Sequence, residues 1–178
     1  MQPTELARSW QNFYVIIGSS AGALTGLQFV VITLLAQTRS TTSMHEVRAF
    51  GTPTVVHFCV ALMISAIVTA PWPHASGLAI SLAVCGVSGI AYGISVIRHA
   101  RRQKGYHPDF LDWMWYAVFP LFSYATLATA AALLPWSSAP CMFAIAVVAL
   151  ALLLIGIHNS WDTVTYIAVK HGSRAPKE

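Results

Sequence analysis

The chain has 178 residues, of which 56% are hydrophobic and only 9% charged, with a formal net charge of +4. Soluble domains carry roughly 25% charged residues, so this composition excludes an ordinary water-soluble domain. Its three cysteines, Cys59, Cys85 and Cys141, make no CxxC pair and no even-numbered set, which excludes a disulfide scaffold and a zinc module.

In chain order, residues 1–12 are short and mixed, with Glu5, Arg8 and Trp10. Trp10 and Tyr14 suit the headgroup level of a bilayer, where amphipathic rings settle. An uncharged run follows from Phe13 to Gln37. At about 1.5 Å of rise per residue it outruns a hydrocarbon core of roughly 30 Å, so it predicts a tilted transmembrane helix over 13–37. The run is too long for a signal-peptide core and lacks a basic leader and a cleavage site, so it is expected to be retained.

Within it Gly18, Gly22 and Gly26 recur at every fourth residue. In a water-exposed helix each would cost about 1 kcal/mol against alanine. In lipid the same stripe lets another backbone approach closely, which makes this helix the expected centre of a bundle.

A polar segment, 38–51, leads to Pro53, expected in the first turn of a second helix over 54–72. The PWPHASG sequence forms a tight interfacial turn. A third helix, 77–97, repeats the small-residue theme at Gly77, Ser81, Cys85, Gly89 and Gly93, and ends in the basic cluster Arg98, Arg101, Arg102 and Lys104. A fourth, 113–134, starts aromatic and contains Pro120, which should kink it or free carbonyls for a neighbour. After PWSSAP comes a fifth helix, 141–158, with an amphipathic extension over 159–171. The fold class is therefore an all-α integral membrane bundle of five transmembrane helices, forming a single domain.

The charges orient it. Loops 38–51 and 98–112 and the tail hold nine of the ten Lys and Arg residues, and the alternate loops hold none. By the positive-inside bias the N-terminus lies outside and the C-terminus in the cytoplasm. This distribution accounts for the net positive charge without a nucleic-acid partner. The lipid bilayer is the expected partner.

The LTGLQFVVITL run, the FGTPTVVHF opening of the second helix and the HNSWD segment resemble a widespread group of small, multi-pass bacterial inner-membrane proteins. The likeness covers most of the chain. It implies a location in the bacterial inner membrane and carries over no functional residue.

The chemistry-bearing residues are few. The packing candidates are Gly18, Gly22, Gly26, Gly89 and Gly93, serving either contacts within one subunit or a homo-oligomer. Polar groups inside a membrane are expensive and therefore functional suspects, which selects His57, His158, Asp162 and Gln28. His158 and Asp162 share a helix face, with Tyr166 a turn on, and His57 should lie at the depth of His158. His57, Ala61, Ser65 and Thr69 line another face, and Thr25 joins Gln28 on the first helix. An imidazole ordinarily titrates near pH ~6.5, making these histidines candidate pH sensors.

No catalytic constellation and no metal-ligand spacing accompanies them, so an enzyme is not expected, nor a cofactor or metal. The leading expectation is a small oligomeric inner-membrane channel or pore packed through its glycine faces. The alternatives are a non-conducting accessory or scaffold subunit serving a larger membrane complex, and a bis-histidine haem or metal protein.

Overall fold

The computed structural model describes residues 3–37, 44–102 and 110–172, which are helical apart from short turns and contain no strand. The helices are α1 (Pro3–Ser9), α2 (Gln11–Gln37), α3 (Met44–Thr69), α4 (Ala75–Arg102), α5 (Phe110–Trp113), α6 (Phe119–Leu133) and α7 (Ser138–Gly172). A single π-helical turn, Met114–Val118, joins α5 to α6. Five stretches are long and apolar enough to cross a membrane: Gln11–Thr33, Thr52–Thr69, Ala75–His99, Met114–Leu133 and Ser138–Thr165. Large apolar side chains on their outer faces, among them Ile16, Phe29, Ile80 and Phe122, are more than half exposed, a surface suited to lipid rather than water.

Several boundaries move from expectation. The second helix starts at Met44, so residues 44–51 are helical and Pro53 sits inside α3, buried, instead of in a first turn. Its missing N–H leaves the carbonyl four residues earlier without an intrahelical donor. The fifth helix runs unbroken from Ser138 to Gly172, so the extension continues the apolar span directly. The polar connections expected over 38–43 and 103–109, and the polar tail expected beyond Gly172, lie outside the described residues.

Pro120 has the expected local consequence in a specific form. Without an amide hydrogen it breaks the regular ladder, and the preceding turn widens: the N–H of Phe119 reaches back five residues to the carbonyl of Met114. That wide turn rotates Trp115 and Tyr116 relative to a regular helix, and both meet α7.

The helices pack in the order α2 on α3, α3 on α7, α7 on α6, and α6 on α4. The hub is α7, with 56% of its span buried, while α2 is peripheral at 17%. The sequence reading of α2 as the centre is thereby corrected. A glycine stripe reports how closely one neighbour approaches, not how many neighbours a helix has.

At the end with the tight turns, Trp72 closes the α3–α4 connection. Its indole N–H donates to the carbonyl of Ile67 at 2.6 Å, and its ring covers Gly77. Between α4 and α6 the backbone of Ala128 lies close over Gly86, where a Cβ would stand 2.7 Å from its nitrogen. The buried side chains Ile64, Leu82, Leu127, Leu134, Met142, Ile145 and Leu152 form the apolar core.

Candidate functional site

Several hydroxyls in the spans are satisfied within their own helix. Thr25 donates to the carbonyl of Ala21, Ser65 to Ala61, Thr69 to Ser65 and Ser123 to Phe119, each within its own helix. This back-bonding satisfies a hydroxyl locally and leaves an effectively apolar surface. The stripe His57, Ala61, Ser65, Thr69 therefore reduces to His57, and Thr25 adds nothing to Gln28.

His57 is 2% exposed, and its Nδ1 lies 2.7 Å from the hydroxyl of Tyr124, which is fully buried. The tautomer decides which group donates. The pair links α3 to α6. Gly89 on α4 makes the arrangement possible, because any Cβ there would collide with the Tyr124 ring. Nε2 of the same imidazole is buried with no hydrogen-bond partner.

Asn159 on α7 is also fully buried, and neither its Nδ2 nor its Oδ1 has a partner. Its position follows from the α3–α7 crossing. There the Phe58 ring lies over Gly156 so tightly that a Cβ on Gly156 would collide with it. The two helices run antiparallel. From that crossing His57 lies about 1.5 Å, and Asn159 about 4.5 Å, towards the end with the long connections. The two residues thus stand within about 3 Å of each other along the bundle axis.

Around α7, Ser160 is turned about 40° from Gly156 to one side and Asn159 about 60° to the other. Ser160 faces α2, where its hydroxyl donates to Oε1 of buried Gln28 at 3.3 Å. Asn159 consequently faces the α6 side, into the wedge between α3, α6 and α7 that holds His57 and Tyr124. Thr54, fully buried on α3 one turn before Phe58, borders the same wedge.

Two contacts flank the wedge towards the long-connection end. The imidazole of His158 stacks flat on Trp115, ring centroids 3.8 Å apart and planes 7° from parallel, with Nδ1 buried and unpartnered. The hydroxyl of Tyr116 donates to Oδ2 of exposed Asp162 at 3.4 Å. The π-helical turn supplies both aromatic partners.

The sequence candidates are therefore distributed as follows. Gln28 and His57 are buried and face α7 and α6, respectively. His158 and Asp162 share a helix but not a hydrogen bond; each takes an aromatic partner from the π turn instead. His57 meets Tyr124 on α6, whereas His158 stacks on Trp115 of the π turn. Among the described residues no group of three or more His, Cys, Asp or Glu gathers around a metal position.

Gly18 meets Ser65 at 3.0 Å and Gly22 meets Leu62 at 3.4 Å, both on α3, whereas Gly26 faces open space. Gly93 makes ordinary contact with Leu121 at 3.4 Å, and Gly89 admits Tyr124.

Sequence reasoning missed Asn159, Tyr124, Gly86 and Gly156. A lone asparagine in the most apolar span was the available signal for the first, since unpaired polar groups in such a span are costly. The glycines Gly86 and Gly156 fall outside any four-residue repeat and left no pattern to follow. Comparison with protein-family models, with characterised proteins and with solved structures finds no match for this chain.

Proposed function

We propose that this is a small bacterial inner-membrane protein of the channel class, with its N-terminus outside and its C-terminus in the cytoplasm, whose polar wedge admits a small solute from the cytoplasmic side. One observation carries the reading. His57 Nε2 and both amide atoms of Asn159 are buried and unpartnered in one wedge between α3, α6 and α7. Each such group costs about 1–3 kcal/mol, and replacing it with an apolar residue would remove that cost. A polar cluster kept at such expense has its rationale in what it holds. Self-association through the open part of the α2 stripe, at Gly26, belongs to the same proposal.

Solute flux into proteoliposomes tests it. The parent protein should conduct, and Asn159→Leu, which keeps the volume and removes the polar atoms, should lower flux by about tenfold or more. If parent and variant are equally silent, the reading gives way to an accessory subunit of a larger membrane complex. Orientation is tested separately. A reporter active only in the periplasm should be silent when fused after Glu178 and active when placed at Ser76.

A further inference from the structure

Resting on that reading of the wedge, we infer that the Asn159–His57 site takes a small uncharged solute bearing both hydrogen-bond donors and acceptors, of the amide or urea class, and discriminates against ions. The orphan atoms set the complementarity. Asn159 offers two N–H donors and one carbonyl acceptor, all unpartnered. His57 offers one more position at Nε2: a donor if Tyr124 donates to Nδ1, an acceptor if Nδ1–H donates to Tyr124. Because the Tyr124 hydroxyl can serve in either direction, the site can match a donor or an acceptor on its ligand by a tautomer switch, without moving a heavy atom.

Charge decides the class. The side chains named around the wedge are His57, Tyr124, Thr54, Asn159 and Phe58, with Ser160 and Gln28 on the other, α2-facing side of α7. None is a carboxylate, lysine or arginine. Asp162, the nearest described acid along α7, is exposed and engaged by Tyr116. An ion entering such a wedge would exchange its hydration shell for neutral dipoles with no countercharge, which is strongly unfavourable. A neutral molecule with matched donors and acceptors incurs much less, because each hydrogen bond given up to water is re-formed on Asn159 or His57. Hard divalent cations are disfavoured further, since they require several oxygen ligands with carboxylates among them.

The test uses two planar, nearly isosteric probes that differ in charge, urea and guanidinium, each below denaturing concentration. The full-length protein, 15N-labelled at histidine, is placed in nanodiscs, and the Nε2 resonance of His57 is identified by its loss in His57→Gln. Urea should shift that resonance saturably. Guanidinium should do so with an apparent affinity weaker by about tenfold or more. In Asn159→Leu, which should fold at least as well as the parent, the urea response should vanish.

Guanidinium matching or exceeding urea overturns the inference, as does the absence of a saturable response to urea. Persistence of the urea response in Asn159→Leu overturns it too. The outcome is separable from the channel reading. Binding without flux removes the channel and leaves the site, whereas flux without a His57 response removes the site and leaves the channel.

Discussion

The two ends of this bundle are built by different rules. Towards the tight turns, Ile64, Leu82, Leu127, Leu134, Met142 and Ile145 fill the interior, and the hydroxyls of Ser65 and Thr69 are back-bonded to their own helix. Among the described residues, the hydroxyl of Tyr14 is the one buried, unpartnered side-chain polar atom of that half. Towards the long connections the interior holds Gln28, Thr54, His57 and Asn159, and the remaining unpartnered atoms concentrate there. Apolar packing in the first half gives stability that any close-packed set of side chains of similar volume would supply. The second half departs from that solution where leucine would fit, and such a departure is what a binding site looks like before its ligand is known.

The strongest way to break the comparison is to test the half said to be structural. Ile145 is fully buried beside Met142 and Ala149. Ile145→Ala should therefore destabilise by about 2–5 kcal/mol, through lost contacts and the cavity left behind. Unfolding in mixed detergent, followed by circular dichroism, measures it. A loss below about 1 kcal/mol would mean that this half is not tightly packed either, and the contrast would fail.

A smaller effect is expected at the helix crossings. Gly86→Ala drives a methyl into the backbone of Ala128, which cannot rotate away, and should cost about 1–3 kcal/mol. Gly26→Leu enters open space and should leave the stability of the single chain within about 0.5 kcal/mol. The same substitution should reduce self-association if the open end of the α2 stripe is a subunit contact. Equal effects of the two on chain stability would mean that the glycines are not sorted as described.

At Asn159 the sign should reverse. Asn159→Leu removes two unpartnered polar groups from a fully buried position and should stabilise by about 1 kcal/mol or more. Measured by the same unfolding assay, a destabilisation of that size would show that the amide is satisfied in the folded protein.

How much of this was legible in the sequence follows from the same physics. Five long uncharged runs separated by polar or proline-rich segments gave the helix count, because each is long and apolar enough to form a membrane-spanning helix. The burial of Gln28 and His57 was legible as polar residues inside those runs. Facing was not. A helix in lipid is apolar on all sides, so the periodicity that marks the inner face of a soluble helix is absent. Hence the glycine stripe of α2 was read as the centre, whereas α7, with no stripe, is the hub. The separation of His158 from Asp162 was equally hidden, since it depends on the π-helical turn ahead of Pro120 and on the aromatic partners that turn delivers.

The smallest effect concerns the contact that joins the two halves, His57 to Tyr124. Tyr124→Phe keeps the ring against Gly89 and removes only the hydroxyl, leaving Nδ1 of His57 without its partner. Hydrogen bonds between membrane helices average roughly 0.6 kcal/mol in double-mutant cycles, because the separated helices find other partners. A cycle of Tyr124→Phe with His57→Leu should therefore give a coupling of about 0.6 kcal/mol, with roughly 1.7 as the ceiling. The cycle isolates the contact only while the Tyr124 ring stays in place, and Gly89 supplies the control. In a Gly89→Ala background the methyl displaces that ring, so the coupling should fall to zero even though both partners are present. A coupling that survives there would mean the hydroxyl reaches His57 by another route, and a coupling absent from the parent would mean that the two side chains are not hydrogen-bonded.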